Sequence, residues 1–266
     1  MPIALITGSG FYDLPGLEQP KLQIVNTAFG SVTAQTGVWH GHDLVFLARH
    51  GDGHQALSHQ VPFQALIQAC SDLQVSTILG FSVVGVVNPD LPLGQLLLPC
   101  ELYFPDNRLP NGQACTLFQT PGDPLRGHAI TDSYFHSGLG EQWQKACQTA
   151  ELPLCTGLTY GHVQGPRFNS KSEIRALAQL GVDIVSQTLG PEAVLAAEAE
   201  IPYAALTFGV DYANGVQSTP TPLTDLNQHL KRSKPQMIQA LQALLQDYQK
   251  AQFEGFVYRF SSSQGK

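Results

Sequence analysis

Polar side chains able to hold an anion follow two early apolar runs of the sequence. Ser9 lies in the segment Gly8-Ser9-Gly10 after the first run, and Arg49 with His50 follows a later one. A glycine-flanked serine presents backbone N–H groups and a hydroxyl at one point, and a guanidinium offers paired donors to an oxyanion. These residues predict an anion site. A tight turn without a ligand remains the alternative explanation for Gly8-Ser9-Gly10, which is neither a dinucleotide fingerprint nor a P-loop.

A second set of polar residues follows apolar runs further along the chain. Gln187, Thr188 and Asp211 each come directly after a short, partly β-branched run. In sheets with parallel strands, ligands bind beyond the strand ends, so we expect these three residues to lie in a site. Ser82, placed by its sequence at a strand end, is either a turn residue or a further hydroxyl for the same anion.

A metal site is the alternative use of the histidines. His50, His54 and His59 form the candidate zinc set, with two more histidines nearby in the sequence. Ligands spaced four residues apart need a helix to face the same way, and two glycines lie between the first two histidines. The spacing therefore argues against a metal, and we expect none.

The pattern of apolar residues predicts an α/β fold with a largely parallel or mixed sheet covered by helices. The predicted strands are residues 3–6, a β-meander within 22–48, 77–87, 94–99, 182–185 and 203–210. The predicted helices are 62–73, 141–149, 172–180 and 191–199, and two more begin at Thr224 and Pro235.

The chain length indicates one domain. With 266 residues, 43% of them hydrophobic, the chain can bury a full core, and an α/β unit of this size is commonly a single domain. We assign residues 1–260 to this domain and predict that the tail 261–266 is disordered. Residues 104–127 are rich in Pro, Gly, Asn and Asp and predict a long irregular loop, with His128 at its end.

Charge and composition exclude several partners. The net charge is −7 with only 14 Lys and Arg, so no basic surface is available for nucleic acid. No apolar run approaches the roughly 18 residues that cross a bilayer. Five cysteines without a CxxC pair, and no signal peptide, predict reduced thiols in the cytoplasm.

In their order and spacing, these motifs resemble the trimeric-type purine nucleoside phosphorylases, and most closely the methylthioadenosine and methylthioinosine phosphorylases. The resemblance covers about residues 3–250. It comprises Gly8-Ser9-Gly10, Arg49-His50-Gly51 with His54, a hairpin from Gly85 to Gly94, His128 with Asp132, Gly165-Pro166-Arg167-Phe168, Thr188, Pro191-Glu192 and Asp211-Tyr212. It implies a single-domain mixed sheet, partly barrel-like and flanked by helices.

The resemblance also implies a role for each matching residue. Phosphate, the co-substrate, would bind to Ser9, Arg49, His50, Ser82 and Thr188, and no cofactor is expected. The nucleoside would contact His54, Val83, Phe168, Asn169, Gln187, Asp211 and Ala213, with Phe168 stacking on the purine. The implied catalytic residues are Asp211, near the purine N7, and His50. His128 would reach a neighbouring subunit's pocket, which implies a homotrimer.

The implied reaction is phosphorolysis of a purine nucleoside, such as methylthioadenosine, to the free base and a sugar 1-phosphate. Several residues depart from the family pattern: Gln187 replaces a Met under the ribose, Ala213 an acidic residue, Val210 a Thr and Ser82-Val83 a Thr-Ala pair, and residues 58–63 also differ. Asp211 favours a 6-aminopurine, and Asn169 points the same way. The alternative is a family member that binds purine nucleosides without cleaving them.

Overall fold

The computed structural model describes residues 1–260 apart from the side chain of Asp52, so the predicted disordered tail at 261–266 lies outside the described residues. The strands found there are β1 (Ile3–Thr7), β2 (Glu18–Thr27), β3 (Gly30–Trp39), β4 (His42–Ala48), β5 (Thr77–Val86), β6 (Leu96–Tyr103), β7 (Gly127–Thr131), β8 (Leu154–His162), β9 (Ile184–Ser186), β10 (Tyr203–Tyr212) and β11 (Gly255–Arg259). The helices are α1 (Phe63–Asp72), α2 (Ser137–Thr149), α3 (Lys171–Gln179), α4 (Leu189–Glu198) and α5 (Leu223–Gln246).

The main sheet is mixed and partly closed. Its strands follow the order β10-β6-β8-β9-β5-β1-β4-β3-β2, and β10 pairs with β5 as well. This extra pairing closes β5, β10, β6, β8 and β9 into a ring, from which β1, β4, β3 and β2 extend as an open sheet. The prediction of a mixed α/β sheet that is partly barrel-like is confirmed.

Helices cover both faces of this sheet. On one face α1 and α4 pack into a core that includes Phe63 and Leu195. On the other face α2 and α5 contribute Trp143 and Leu241 to a second core. α4 is buried from Leu189 to Ala197, because it lies inside the fold and not on its surface, and its apolar sequence permits this.

The long strand β5 provides the frame for the site. Along one edge its first half, Thr77–Gly80, pairs with β1, whereas its last residues, Gly85 and Val86, pair with β9. Between these two partners, residues 81–84 have no strand beside them on that edge within the described part of the chain. Polar residues that follow β1 and β9 therefore face the middle of β5 across an opening in the sheet.

Two sequence predictions about connections are wrong. β5 and β6 do not form a hairpin through Gly85 and Gly94, because β10 lies between them and pairs with both. The helices predicted from Thr224 and Pro235 are one helix, α5, which contains Pro235. Its buried residues lie on both sides of that proline. The packing of this continuous buried face therefore stabilises the helix by more than the loss of one backbone hydrogen bond at the proline destabilises it.

The sequence analysis did not predict β8 or the small antiparallel sheet of β7 and β11. In that small sheet Phe256 lies opposite Ile130, and Tyr258 opposite His128. Between β6 and β7 the chain forms the predicted irregular loop, interrupted only by a single bridge between Arg108 and Ala114.

None of the helices found in residues 1–260 combines the length and the apolar character that crossing a bilayer requires. The five cysteines, all within the described residues, are unpaired.

Candidate active site

A cavity of about 430 Å³ opens where β1 and β9 separate along β5. Twelve of the thirteen residues predicted for the site line it: Ser9, Arg49, His50, His54, Ser82, Val83, Phe168, Asn169, Gln187, Thr188, Asp211 and Ala213. The structure thus brings together residues from six separate segments of the chain. Which of them bind a ligand stays a prediction.

Hydroxyl groups cluster at the end of the cavity nearest α4. Ser82 Oγ lies 3.4 Å from Thr188 Oγ1 and 3.5 Å from Ser186 Oγ. Ser82 lies within β5 and not at its end, where the sequence placed it. Thr188 is the residue before the first turn of α4, and the N-terminus of a helix favours an anion. This end of the cavity is therefore rich in donors that can turn toward an oxyanion.

Arg49 lines the same cavity and is already paired. Its side chain is fully buried and forms a two-point ion pair with the equally buried Glu192, in which Nη2 lies 3.0 Å from Oε2. Its Nη1 donates to the carbonyl of Phe81 at 3.0 Å, and Tyr203 donates its hydroxyl to Glu192 at 2.8 Å. Burial alone would lower the pKa of Arg49, but Glu192 outweighs it and raises the pKa above its ordinary value.

Gly8 is required where the chain passes over this guanidinium. A Cβ atom at residue 8 would lie 2.6 Å from Nη1 of Arg49. Any side chain there would collide with a group that Glu192 and Phe81 hold in place. This close approach, and not a positive φ angle, accounts for the first glycine of Gly8-Ser9-Gly10.

The ring of His50 is fixed in one orientation. Its Nδ1 lies 2.9 Å from the carbonyl oxygen of Ala56, and the ring stacks on His54 at 4.4 Å. His54 in turn contacts the hydroxyl of Tyr12 through Nδ1 at 2.8 Å. Burial, together with the charge of Arg49, lowers the pKa of His50 to about 4, so its ring is neutral near pH 7.

The three histidines of the alternative zinc set do not come together. His59 is exposed and does not line the cavity that His50 and His54 share. Among the side chains that the structure describes there is no group of three or more His, Cys, Asp or Glu placed to hold a metal ion.

Asp211 lines the same cavity, where β10 places it beside Gly85 of β5. The pairing of β10 with β5 shifts by one residue between Gly209 and Asp211, and such a bulge turns the following side chain. Burial raises the pKa of Asp211 to about 6, and the neighbouring His229 opposes that rise. The carboxyl group can therefore carry a proton at a pH where an exposed aspartate cannot.

The loop from Gly165 to Asn169 forms the rim near Asp211. Phe168 is 79% exposed at this rim, so one face of its ring is free to stack on a planar group. Arg167 pairs with Glu173, whose Oε2 lies 2.9 Å from Nη1, and Asn214 donates to the carbonyl of Asn169 at 2.7 Å. These contacts fix the backbone of the rim and leave the aromatic side chain open.

Gln187 ties this rim to the segment that carries His50. Its Oε1 accepts a hydrogen bond from Ser58, and its Nε2 donates to the carbonyl of Arg167 at 3.1 Å. A Cβ atom at residue 165 would lie 2.0 Å from Oε1, so Gly165 makes room for the amide. Gln187 departs from the family pattern, and its polar partner Ser58 lies in residues 58–63, which depart from that pattern as well.

We expect Ser58 and Gln187 to be energetically coupled. In a double-mutant cycle with Ser58→Ala and Gln187→Met, the coupling free energy of unfolding should be about 0.5–1.5 kcal/mol, the net value of one hydrogen bond. Urea denaturation of the four proteins measures it. The control is a second cycle with Ser58→Ala and Gln60→Ala. The amide of Gln60 accepts a hydrogen bond from the backbone N–H of Leu57 and not from Ser58. Additive effects in the first cycle would contradict the bridge.

His128 is the predicted site residue that lies elsewhere. It is exposed on β7, where its ring contacts Phe260 at 5.6 Å, and it does not line the cavity of its own chain. This placement is compatible with a contribution to another subunit and gives it no role in its own cavity.

Sequence reasoning missed three polar residues at the site: Glu192, Tyr160 and Ser186. Tyr160 contacts Ser186 Oγ at 2.8 Å and accepts the backbone N–H of Leu189 at 3.2 Å, so it supports the hydroxyl cluster from behind. Glu192 was named only as part of the Pro191-Glu192 motif, without a role at the site. Its position in the apolar first part of α4 was the available signal, because a buried carboxylate requires a partner.

The sequence of this chain is similar to those of known proteins. The sequence profile described as the phosphorylase superfamily matches residues 2–246. A probable 6-oxopurine nucleoside phosphorylase of Thermococcus kodakarensis is 35% identical over 84% of this chain and 82% of its own length. An S-methyl-5′-thioadenosine phosphorylase of Geobacter sulfurreducens is 32% identical over 79% and 72%. A probable S-methyl-5′-thioinosine phosphorylase of Methanopyrus kandleri is 30% identical over 92% and 91%.

Solved structures show the same fold. A methylthioadenosine phosphorylase from an antarctic soil metagenomic library superimposes with a TM-score of 0.81 at 25% identity, covering 91% of this chain and 84% of that one. Methylthioadenosine phosphorylase from Schistosoma mansoni, in complex with adenine, gives a TM-score of 0.81 at 24% identity, covering 92% and 90%.

Proposed function

The chain belongs to the phosphorylase superfamily, and on that premise we propose that it cleaves purine nucleosides with inorganic phosphate. One observation carries the proposal: a single cavity contains both a cluster of hydrogen-bond donors for an anion and the carboxyl group of Asp211, whose pKa is raised. The exposed ring of Phe168 lies at the rim of the same cavity. The products are the free purine and a sugar 1-phosphate.

The reaction needs stabilisation of two opposite charges. As the bond between the sugar C1′ and the purine N9 lengthens, positive charge develops on the sugar and negative charge on the purine. Phosphate held by Ser9, Thr188 and the guanidinium of Arg49 stabilises the sugar and then forms the new bond at C1′. A proton from Asp211 to N7 stabilises the leaving purine. Phosphate is the only co-substrate that these steps require.

For the base, we propose a 6-aminopurine, as in methylthioadenosine. A carboxyl group accepts a hydrogen bond from a 6-amino group and also donates its proton, whereas a 6-oxo group has no hydrogen to offer it. Relatives that carry 6-oxopurine names match this chain as well as those with methylthioadenosine names, so the identity of the base rests on Asp211.

We also propose a homotrimer with shared sites. The exposed position of His128, on the same small sheet as the exposed Ile130 and Phe256, supports it, since a subunit contact would cover these apolar side chains. His128 would then contact the sugar end of a neighbouring nucleoside.

The test is release of free base from methylthioadenosine, methylthioinosine, adenosine, inosine and guanosine, each with and without phosphate. We expect phosphate-dependent cleavage, fastest with methylthioadenosine. Cleavage without phosphate would indicate a hydrolase. Binding of nucleosides in a thermal-shift assay without any cleavage would identify a binding protein, the alternative that the sequence left open.

A further inference from the structure

The carboxyl group of Asp211 is oriented through the backbone on either side of it. Among the described residues, burial and His229 shift its pKa, and no hydrogen bond does. The two flanking peptide groups, in contrast, are both held by side chains. His229 contacts the carbonyl of Val210 through Nδ1 at 2.8 Å, and the N–H of Tyr212 donates to Thr221 Oγ1 at 3.2 Å. The direction of the carboxyl group therefore depends on these backbone contacts.

The contact of His229 lies at the bulge of β10. The pairing of β10 with β5 shifts at Val210, which has no partner in the register, and a bulge interrupts the hydrogen bonds of the ladder at this point. A carbonyl group has no hydrogen to offer, so Nδ1 of His229 is the atom that donates. A side chain of α5 thus supplies a donor to the bulged residue itself, directly before Asp211.

The loop before β6 leaves room for the ring of His229. A Cβ atom at residue 94 would lie 2.9 Å from Cδ2 and 3.2 Å from Nε2 of that ring, and φ of Gly94 is +74°. The N–H of Gly94 also donates to the carbonyl of Gly209 at 2.8 Å. The bulge is therefore held at two successive carbonyls, those of Gly209 and Val210. This arrangement gives Gly94, which the sequence only marked as part of a motif, a place in the site.

We propose that His229 is a positioning residue of the active site: by donating to the carbonyl of Val210 it keeps the bulge in the shape that turns Asp211 toward the purine. His229 does not line the cavity, so it acts on the substrate through Asp211. It is nevertheless close enough to oppose the rise that burial causes in the pKa of Asp211. The inference rests on the proposed function for the role of Asp211 at the purine.

The experiment compares two replacements of His229 in the steady-state cleavage of methylthioadenosine with phosphate. His229→Leu removes the donor and should lower kcat/KM by about tenfold or more, because displacing a catalytic group by about 1 Å can cost on the order of 100-fold. His229→Asn places a side-chain N–H as many bonds from Cβ as Nδ1 is, and should keep kcat/KM within about threefold of wild type.

Two further comparisons assign the loss to Asp211. In the Asp211→Ala background, His229→Leu should cost less than about twofold more, because a residue that acts through Asp211 has nothing left to position. His42→Leu is the matched control: His42 Nε2 lies 2.9 Å from the carbonyl of Leu245, away from the cavity. It should leave kcat/KM unchanged. If His229→Leu does not fold, His229→Gln takes its place, since its N–H lies one bond further from Cβ and should not restore the rate.

Binding of free adenine, measured by isothermal titration calorimetry, gives a readout without turnover. Adenine should bind His229→Leu about threefold or more weakly than wild type, the value of a lost hydrogen bond, and His229→Asn as tightly as wild type. This order of affinities without cleavage of any nucleoside would uphold the inference and defeat the proposed function.

Three results would overturn the inference while the proposed function stands: His229→Leu that cleaves within about threefold of wild type, His229→Asn that is as slow as His229→Leu, or a full further loss in the Asp211→Ala background. A wild-type chain that neither cleaves a nucleoside nor binds adenine would overturn both.

Discussion

Replacing Glu192 by alanine is expected to lower the free energy of unfolding by about 3–5 kcal/mol. The reason is the guanidinium of Arg49, which would remain buried without its counterion; breaking one side of a buried pair costs that much. Tyr203 would also lose the acceptor for its hydroxyl. Urea denaturation measures the loss.

Two further variants separate charge from packing. Glu200→Ala removes an exposed carboxylate eight residues further along the chain, paired with Arg259 at the surface, and should change stability by less than about 1 kcal/mol. The double variant Arg49→Met, Glu192→Leu removes both buried charges and should regain most of the stability lost in Glu192→Ala, because neither ion is then unpaired. It should not regain phosphate binding. A loss below about 1 kcal/mol in Glu192→Ala would show that water reaches the guanidinium.

The pair of Arg49 and Glu192 also shows what sequence reasoning could and could not find. Arg49 was predicted as a site residue because it follows a strand and stands beside His50, which is local information. Its partner lies 143 residues away in the chain, and no local pattern relates the two. The sequence therefore described Arg49 as a free anion clamp, whereas the structure shows a guanidinium with two donors left to offer.

For the fold as well, local features could be predicted from the sequence and long-range contacts could not. Strand and helix positions were predicted from local periodicity, and most agree with the structure to within a few residues. The placing of β10 between β5 and β6 was missed, since an apolar strand carries no mark of its neighbours. That placement matters for function: it closes the ring of strands and brings Asp211 opposite Gly85, at the same cavity as Ser82.

The departures from the family pattern gain a physical meaning in the structure. Gln187 was taken from the sequence as a lone polar residue where relatives carry Met. In the fold it bridges Ser58 and the carbonyl of Arg167, so two departures distant in sequence form one contact. A compensated pair of this kind indicates a working site with altered contacts and argues against a site that has decayed.

Replacing Asp211 by alanine is expected to lower kcat/KM for phosphorolysis by about 10²–10⁴, the usual contribution of a general acid. No proton from residue 211 would then be available to neutralise the negative charge that develops on the leaving purine. Asp247→Ala is the matched control, since this aspartate pairs with Lys145 at the surface and should leave the rate unchanged. Steady-state assays with methylthioadenosine and phosphate measure both. A loss of less than about fivefold in Asp211→Ala would assign the proton to another group.

Asp211→Asn should raise the free energy of unfolding relative to wild type, and only at higher pH. Burial raises the pKa of Asp211 from its ordinary 3.8 to about 6, so the folded chain holds this proton more tightly than the unfolded chain does. The favourable contribution is complete below pH 3.8 and is lost as the pH rises through about 6. Asparagine has no proton to lose.

The variant should therefore gain stability relative to wild type between pH 4 and pH 7, on the order of 1–3 kcal/mol with allowance for partial exposure. Denaturant unfolding of the two proteins at pH 5 and pH 8 tests this, and parallel pH dependence would contradict the raised pKa. Both outcomes together would assign Asp211 to catalysis, because the same carboxyl group would then lower the stability of the fold and supply the acid of the reaction.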